Sequence, residues 1–205
     1  MSGYNIVTIE REYASGGSSI GRMVGERLDV PVYGREILEM AAKRGNTTPE
    51  YIEHLEETDT NSLLYSLLMM AKTASGQPAS ISGNDALNLL EGRIIEELAR
   101  RGRCVIVGRC AGWVLRGRGD VLNVFIRADE EARIRRAVEE YGVPADQASA
   151  VLRSFDRRRA NFYRANTNLA WKEKIGYHMV LDSGKLGPEV CADIIAGVAG
   201  QGRKG

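Results

Sequence analysis

The sequence predicts an α/β protein: a mainly parallel five-stranded sheet, helices on both faces, and a helical insertion. Three observations carry this. Five short β-branched or apolar runs, Asn5 to Ile9, Pro31 to Tyr33, Cys104 to Val107, Val121 to Ile126 and His178 to Leu181, alternate with longer helical patterns. Strands spaced by helices need crossover connections, and these make the pairing parallel. Residues that are 43% hydrophobic and 27% charged over a length of 205 can bury one sizeable core, which argues against disorder. No apolar run approaches the roughly 20 residues that span a bilayer.

The helices follow in order. Ser18 to Leu28 comes after a glycine pair and sets Ile20, Val24 and Leu28 four apart, a single apolar stripe for packing on the sheet. Thr48-Pro49-Glu50 is an N-cap, a first-turn proline and a first-turn acid, so a helix begins there, and Ser62 to Thr73 is a second helical block rich in Leu and Met. Thr73 to Asn84 turns to Ser, Gly, Gln and Pro and reads as a loop. Asp85 to Arg101 resumes a helix with Leu87, Leu90, Ile94 and Leu98 on one stripe, so Gly45 to Arg101 is an insertion between the second and third strands. Ala128 to Tyr141 is helical, with acids in its first turn and Gly142 past its end. Pro144 and Pro188 each open a further helix.

Charge and cysteine content exclude several classes. Lys+Arg 28 against Asp+Glu 27 leaves +1, so no molecular field gathers nucleic acid or anionic lipid, and any anion site is local. Three cysteines without a CxxC pair suit reduced thiols, and with two distant histidines a zinc site has little support. His54, Met69 and Met70 read as ordinary helix residues, while Trp113 and Trp171 are open to packing or stacking. Met1 to Arg11 has no small-residue cleavage pattern, so the expected compartment is the cytoplasm, with neither nucleic acid nor membrane as a partner.

Three segments carry chemistry. In Ile6 to Ile20 a strand passes through Ser15-Gly16-Gly17-Ser18-Ser19 into a helix, an arrangement that aims free N–H groups and the positive helix end at one point, where an anion belongs. Against the frame G-x-x-x-x-G-K-[ST], Arg11 stands for the first glycine and Gly17 for the lysine. In Arg103 to Cys110 a buried strand runs into Gly108-Arg109, which sets Arg109 outside a strand's carboxyl end, where α/β sheets place ligands. A guanidinium there forks onto phosphate. Arg153 to Arg164 holds five arginines against Asp156, with Arg153 and Arg157 on one helical face; a solvated face and a cover closing on polyphosphate both fit it.

Together and in this order, these pieces resemble the nucleoside monophosphate kinases of the P-loop NTPase fold, most closely the cytidylate kinase-like family. The similarity covers nearly the whole chain. Arg11-Glu12-Tyr13-x-Ser15-Gly16-Gly17 is similar to the family's variant phosphate loop, Val105 to Cys110 to its Gly-Arg strand end, Asp156-Arg157-Arg158-x-Ala160-Asn161 to its lid motif, and Leu181-Asp182-Ser183 to its last strand and helix start. The resemblance implies a three-layer P-loop fold with a core of 1–45 and 102–205, an acceptor-binding insertion of 46–101 and a lid of 142–168. It implies transfer of the γ-phosphoryl of ATP to a nucleoside monophosphate, CMP-like, with Mg²⁺ between the phosphates.

On that resemblance Ser15, Gly16, Gly17, Ser18 and Ser19 wrap the donor phosphates, and Ser18 or Ser19 reaches Mg²⁺. Arg157 and Arg158 act on the transferring group, and Arg109 with Arg93 holds the acceptor phosphate. Gly17 stands in place of the lysine that true cytidylate kinases carry, with Arg11 the nearest cation to substitute for it. Val107 and Cys110 stand where true cytidylate kinases flank Gly-Arg with acids. A non-catalytic nucleotide-binding module and a kinase of a non-nucleotide small molecule are the alternative expectations.

Overall fold

A computed structural model of the chain describes residues 3–45, 83–172 and 176–200. The helices expected from Thr48 and over Ser62 to Thr73, most of the following loop, and His54, Met69 and Met70 lie outside the described residues. The five expected strands are present: β1 Ile6–Arg11, β2 Val32–Tyr33, β3 Cys104–Val107, β4 Val121–Arg127 and β5 Met179–Asp182. They form one sheet in the order β2-β3-β1-β4-β5, every adjacent pair parallel. β1 pairs Ile6 with Cys104 on one side and with Val121 on the other. β1 and β3 are buried along nearly their whole length because a parallel strand inside such a sheet is covered on both faces.

Among the described residues there are eight helices: α1 Gly17–Leu28, α2 Arg35–Arg44, α3 Gly83–Arg101, α4 Ala111–Val114, α5 Glu130–Glu139, α6 Ala148–Thr167, α7 Ser183–Leu186 and α8 Pro188–Gly200. One face of the sheet packs Ile6, Ile106 and Val121 against Ile37 and Leu38 of α2 and Ile94, Ile95 and Leu98 of α3. The other packs Val7, Ile9, Val105, Val107 and Ile126 against Ile20 and Val24 of α1 and Cys191 and Ile195 of α8. The alternation within β1 assigns the two faces, since successive strand residues point to opposite sides. No helix among the described residues is long and apolar enough to cross a membrane.

Most elements end within two residues of expectation, and two of the differing boundaries bear on the site. β1 runs two residues beyond Ile9, so Arg11 is the last strand residue. Pro144 opens a turn, closed by Gln147 N–H donating to the Pro144 carbonyl at 3.0 Å, and α6 begins only at Ala148. β1 and β3 are neighbours whose following helices, α1 and α4, lie on opposite faces of the sheet. A sheet opens a crevice at the carboxyl ends of two such strands. Arg11 and Gly108 stand there.

Candidate active site at the carboxyl ends of β1 and β3

The loop from Glu12 to Gly16 turns β1 into α1, with Ala14 (φ 56°) and Gly16 (φ 77°) in the left-handed region. Each carbonyl from Arg11 to Gly16 has a donor. Arg159 Nη1 donates to Arg11 O at 3.0 Å, Arg133 Nη1 to Tyr13 O at 3.2 Å, Arg136 Nη1 to Ala14 O at 2.9 Å, and Ser183 Oγ to Ser15 O. Ser15 Oγ and N–H both donate to Glu12 O, and Ile20 N–H donates to Gly16 O. In a trans peptide C=O and N–H point in opposite directions, so a held Ser15 carbonyl turns the Gly16 N–H the other way. The N–H groups of Gly16, Gly17, Ser18 and Ser19 have no backbone acceptor among the described residues. Four N–H groups at the positive end of a 12-residue helix are an anion-binding constellation.

Arg11 crosses this constellation. A Cβ on Gly17 would lie 2.4 Å from Arg11 Cβ and 2.8 Å from its Cγ, and a Cβ on Gly108 would lie 2.2 Å from Arg11 Nη1. Gly17 and Gly108 are glycines because the arginine side chain occupies the space above one and beside the other. Its Nε is buried and has no hydrogen-bond partner among the described residues. Burial first, then the charge of Arg159, pushes the Arg11 guanidinium down to about 9; Glu10 opposes this and Arg109 adds to it. The group remains charged at neutral pH, and an anion beside it would offset the cost of its burial. Burial likewise pushes Arg159 down from its ordinary value, with Glu10 and Asp156 opposing.

At the end of β3, Gly108, Arg109 and Cys110 have φ of 80°, 59° and 52°, and Cys110 N–H donates to the buried Glu10 Oε1 at 3.2 Å. Three successive left-handed residues, two of them not glycine, are strained backbone of the kind concentrated at functional sites. This turn directs Arg109 into a cleft of about 660 Å³ that Arg93, Arg116, Trp113, Phe162 and Glu91 also line. Arg109 Nη1 lies 3.5 Å from Glu91 Oε1, and its guanidinium carbon 5.9 Å from the Phe162 ring centroid. Trp113 carries Arg116 at 4.2 Å over its ring, whereas Trp171 is buried and donates from Nε1 to Glu10 Oε2.

The structure brings Arg11, Gly16, Gly17, Ser18 and Ser19 together at the loop and Arg93 with Arg109 in the cleft. Ser15 is fully buried, its hydroxyl committed to Glu12 O, so only its main chain faces the site. Ser18 is exposed at the start of α1, which leaves its hydroxyl open to a metal. In the arginine run, Arg157 is exposed and Arg158 lies 4.3 Å over the Phe155 ring; it is Arg159 that meets the loop. Arg153 is on a solvated face, 3.7 Å from Glu130.

Sequence reasoning passed over Glu12, Arg133, Arg136, Arg159 and Lys172. Glu12 accepts from Ala128 N–H at 3.2 Å and from Lys172 Nζ, and Arg136 lies 3.4 Å from where a Cβ on Gly16 would be. Arg133 and Arg136 are three apart on α5 and so share a face, which no signal in the sequence separates from a solvated helix. Among the described residues no group of three or more His, Cys, Asp or Glu could hold a metal ion.

A model of the cytidylate kinase-like family matches residues 6–185. A cytidylate kinase of Pyrobaculum calidifontis is 24% identical over 183 residues, 88% of this chain and 85% of that one. An uncharacterized protein from Eubacterium ventriosum has a similar structure at a TM-score of 0.70 and 20% identity, with 95% of this chain and 98% of that chain covered. The shikimate kinase from Acinetobacter baumannii in complex with shikimate gives 0.54 at 13% identity, covering 98% and 96%. The structural likenesses establish the three-layer P-loop fold, and the family model spans the phosphate loop, the Gly-Arg turn, α6 and the β5–α7 junction. The chain belongs to the cytidylate kinase-like family and is a phosphotransferase of the P-loop kinase fold.

Proposed function

We propose that the chain transfers the γ-phosphoryl of ATP to a nucleoside monophosphate, CMP-like in carrying one phosphate and one planar base. The observation that carries this reading is the position of Arg109. It shares the cleft with Arg93 and directly follows Gly108, against which lies the side chain of Arg11, the strand residue that borders the phosphate loop. Donor and acceptor phosphates held on these two arginines would meet at the crevice between β1 and β3. Trp113 and Phe162 offer aromatic surface for a base.

The roles follow from phosphoryl-transfer chemistry, which needs positioning and charge stabilisation and little covalent help. The N–H groups of Gly16, Gly17, Ser18 and Ser19 hold the donor's terminal phosphates, and Arg11 supplies the cation that a lysine at position 17 would have supplied. Arg109 and Arg93 hold the acceptor phosphate, and Arg159 keeps the end of β1 in place. Arg157 and Arg158 are assigned to the transferring group by the family resemblance. Mg²⁺ keeps several waters and is bound mainly by substrate phosphates, so the exposed Ser18 hydroxyl fits it as a protein ligand. When bound, the ion neutralises charge that builds on the phosphate oxygens.

A second reading, a kinase of a non-nucleotide acid, is favoured by Val107 and Cys110. Both are buried and neither offers a carboxylate to a cytosine ring. A coupled ADP-release assay with MgATP over the common nucleoside monophosphates and a set of hydroxylated carboxylic acids separates the readings. Turnover with a nucleoside monophosphate, fastest with CMP, is the expected result. Turnover with hydroxy acids alone establishes the second reading, and MgATP binding with no transfer to any acceptor leaves a non-catalytic module.

A further inference from the structure

The loop is held by one ion pair in a way that packing alone does not require. Arg133 of α5 and Asp156 of α6 meet at 2.7 Å, and both side chains are nearly buried. Asp156 Oδ1 accepts the Tyr13 N–H at 2.8 Å, and the same Arg133 Nη1 that reaches Asp156 Oδ2 donates to Tyr13 O at 3.2 Å. One acid and one base thus take the N–H and the C=O of a single loop residue. These groups belong to two successive peptide planes, 12–13 and 13–14, so both planes are fixed at once. One turn further along α6, Arg159 takes the carbonyl of Arg11. Asp156 and Arg159, three apart, share a helical face, and that face is turned to the loop. Lys172 adds a second cation 3.9 Å from Asp156 Oδ2.

We infer that Asp156 is a positioning residue for donor binding: through Tyr13 it couples the docking of α6 to the shape of the phosphate loop, so the loop holds its anion-binding form only while α6 is seated. The inference rests on the reading that this loop grips the donor phosphates. It assigns Asp156 no contact with either substrate. Removing the carboxylate leaves the Tyr13 N–H without its acceptor and Arg133 without its nearest charge, so plane 12–13 keeps only the Ser15 bonds to Glu12 O and plane 13–14 hangs on an arginine no longer anchored by Asp156.

The test compares Asp156→Ala and Asp156→Asn with wild type by calorimetric titration of MgATP and by amide hydrogen exchange. Asparagine keeps an oxygen for the Tyr13 N–H and loses the charge, whereas alanine loses both. The expected result is MgATP binding about tenfold weaker in Asp156→Ala and about threefold weaker in Asp156→Asn. Exchange at Tyr13 should be at least tenfold faster in the alanine variant, while Val7 and Ile9 in β1 stay protected. A merely structural role would lower the melting temperature and leave donor affinity unchanged at a temperature where both variants are folded. Unchanged affinity in Asp156→Ala, or unchanged exchange at Tyr13, overturns the inference. Should the alanine variant fail to fold, wild-type affinity in Asp156→Asn overturns it instead. Wild type that binds no MgATP refutes the donor reading, and the inference falls with it.

Discussion

Restoring the missing lysine should damage this protein. Gly17 stands where the frame G-x-x-x-x-G-K-[ST] has lysine, so Gly17→Lys is the obvious attempt at a conventional loop. A Cβ at position 17 would lie 2.4 Å from Arg11 Cβ, 2.8 Å from Arg11 Cγ and 3.5 Å from Ile126 Cβ. The nearest of these atoms is attached directly to the backbone of the central strand and cannot swing aside. The two Cβ atoms would have to separate by at least 1.0 Å to reach even the 3.4 Å of an ordinary close contact. That moves either the end of β1 or the start of α1, both seated in the core through Ile9 and Ile20. Overpacking of this kind costs about 1–3 kcal/mol. For a chain of this length 2 kcal/mol corresponds to a fall in Tm of about 4–8 °C.

Thermal and urea unfolding followed by circular dichroism measure the loss directly. Replacing Arg11 by glycine in the same chain removes both clashing atoms, so Arg11→Gly should cost less in the Gly17→Lys background than in wild type. A coupling of about 1 kcal/mol or more is expected for residues in direct contact. Stability of Gly17→Lys within about 0.5 kcal/mol of wild type, or additivity of the two changes, would show that Arg11 does not occupy the lysine's space.

Three other outcomes are expected. Arg11→Ala should lower turnover by about a hundredfold, the scale of losing one preorganised charge-stabilising donor; an unchanged kcat removes Arg11 from the site. Arg93→Met should raise the acceptor KM about tenfold while Tm and MgATP affinity hold, because Arg93 is exposed on the cleft wall and surface changes of this kind leave stability within about 0.5 kcal/mol; an unmoved KM takes it out of acceptor binding. Burial pushes the Cys104 thiol up to about 11 from its ordinary 9.0. The folded state therefore holds that proton more tightly than the unfolded one: its contribution is complete below pH 9 and is lost as pH rises through 11. That loss amounts to about 2–3 kcal/mol at 1.36 kcal/mol per unit. Urea unfolding from pH 8 to 11 should show wild type losing stability relative to Cys104→Ala, and parallel curves would contradict the assignment.

The parallel sheet was legible because its signal is local and repetitive. β3 read as a continuous apolar run and Ile6 to Ile9 of β1 as a β-branched one, and the Ile20, Val24 and Leu28 stripe named the buried face of α1, all three of which are core residues. Boundaries were less legible where a backbone hydrogen bond, and not composition, sets them, as in the turn between Pro144 and Gln147. The anion-binding turn was visible as small residues between a strand and a helix. What holds that turn was not. Arg133, Arg136, Asp156 and Ser183 lie more than a hundred positions from it, and each reads in isolation as an ordinary charged or capping residue.

The run from Arg153 to Arg164 shows the division clearly. Composition announced a local excess of positive charge, and family resemblance pointed to Arg157 and Arg158, yet the helical phase of α6 against the loop turned Arg159 to the Arg11 carbonyl and left Arg157 exposed. Periodicity, glycine placement and charge spacing, all properties of neighbours along the chain, determined the fold class, the position of the phosphate loop and the arginines worth testing. Which guanidinium meets which carbonyl, and why Gly17 and Gly108 leave room for Arg11, depended on the rotation and distance of elements far apart in the chain, and only packing around the sheet sets those.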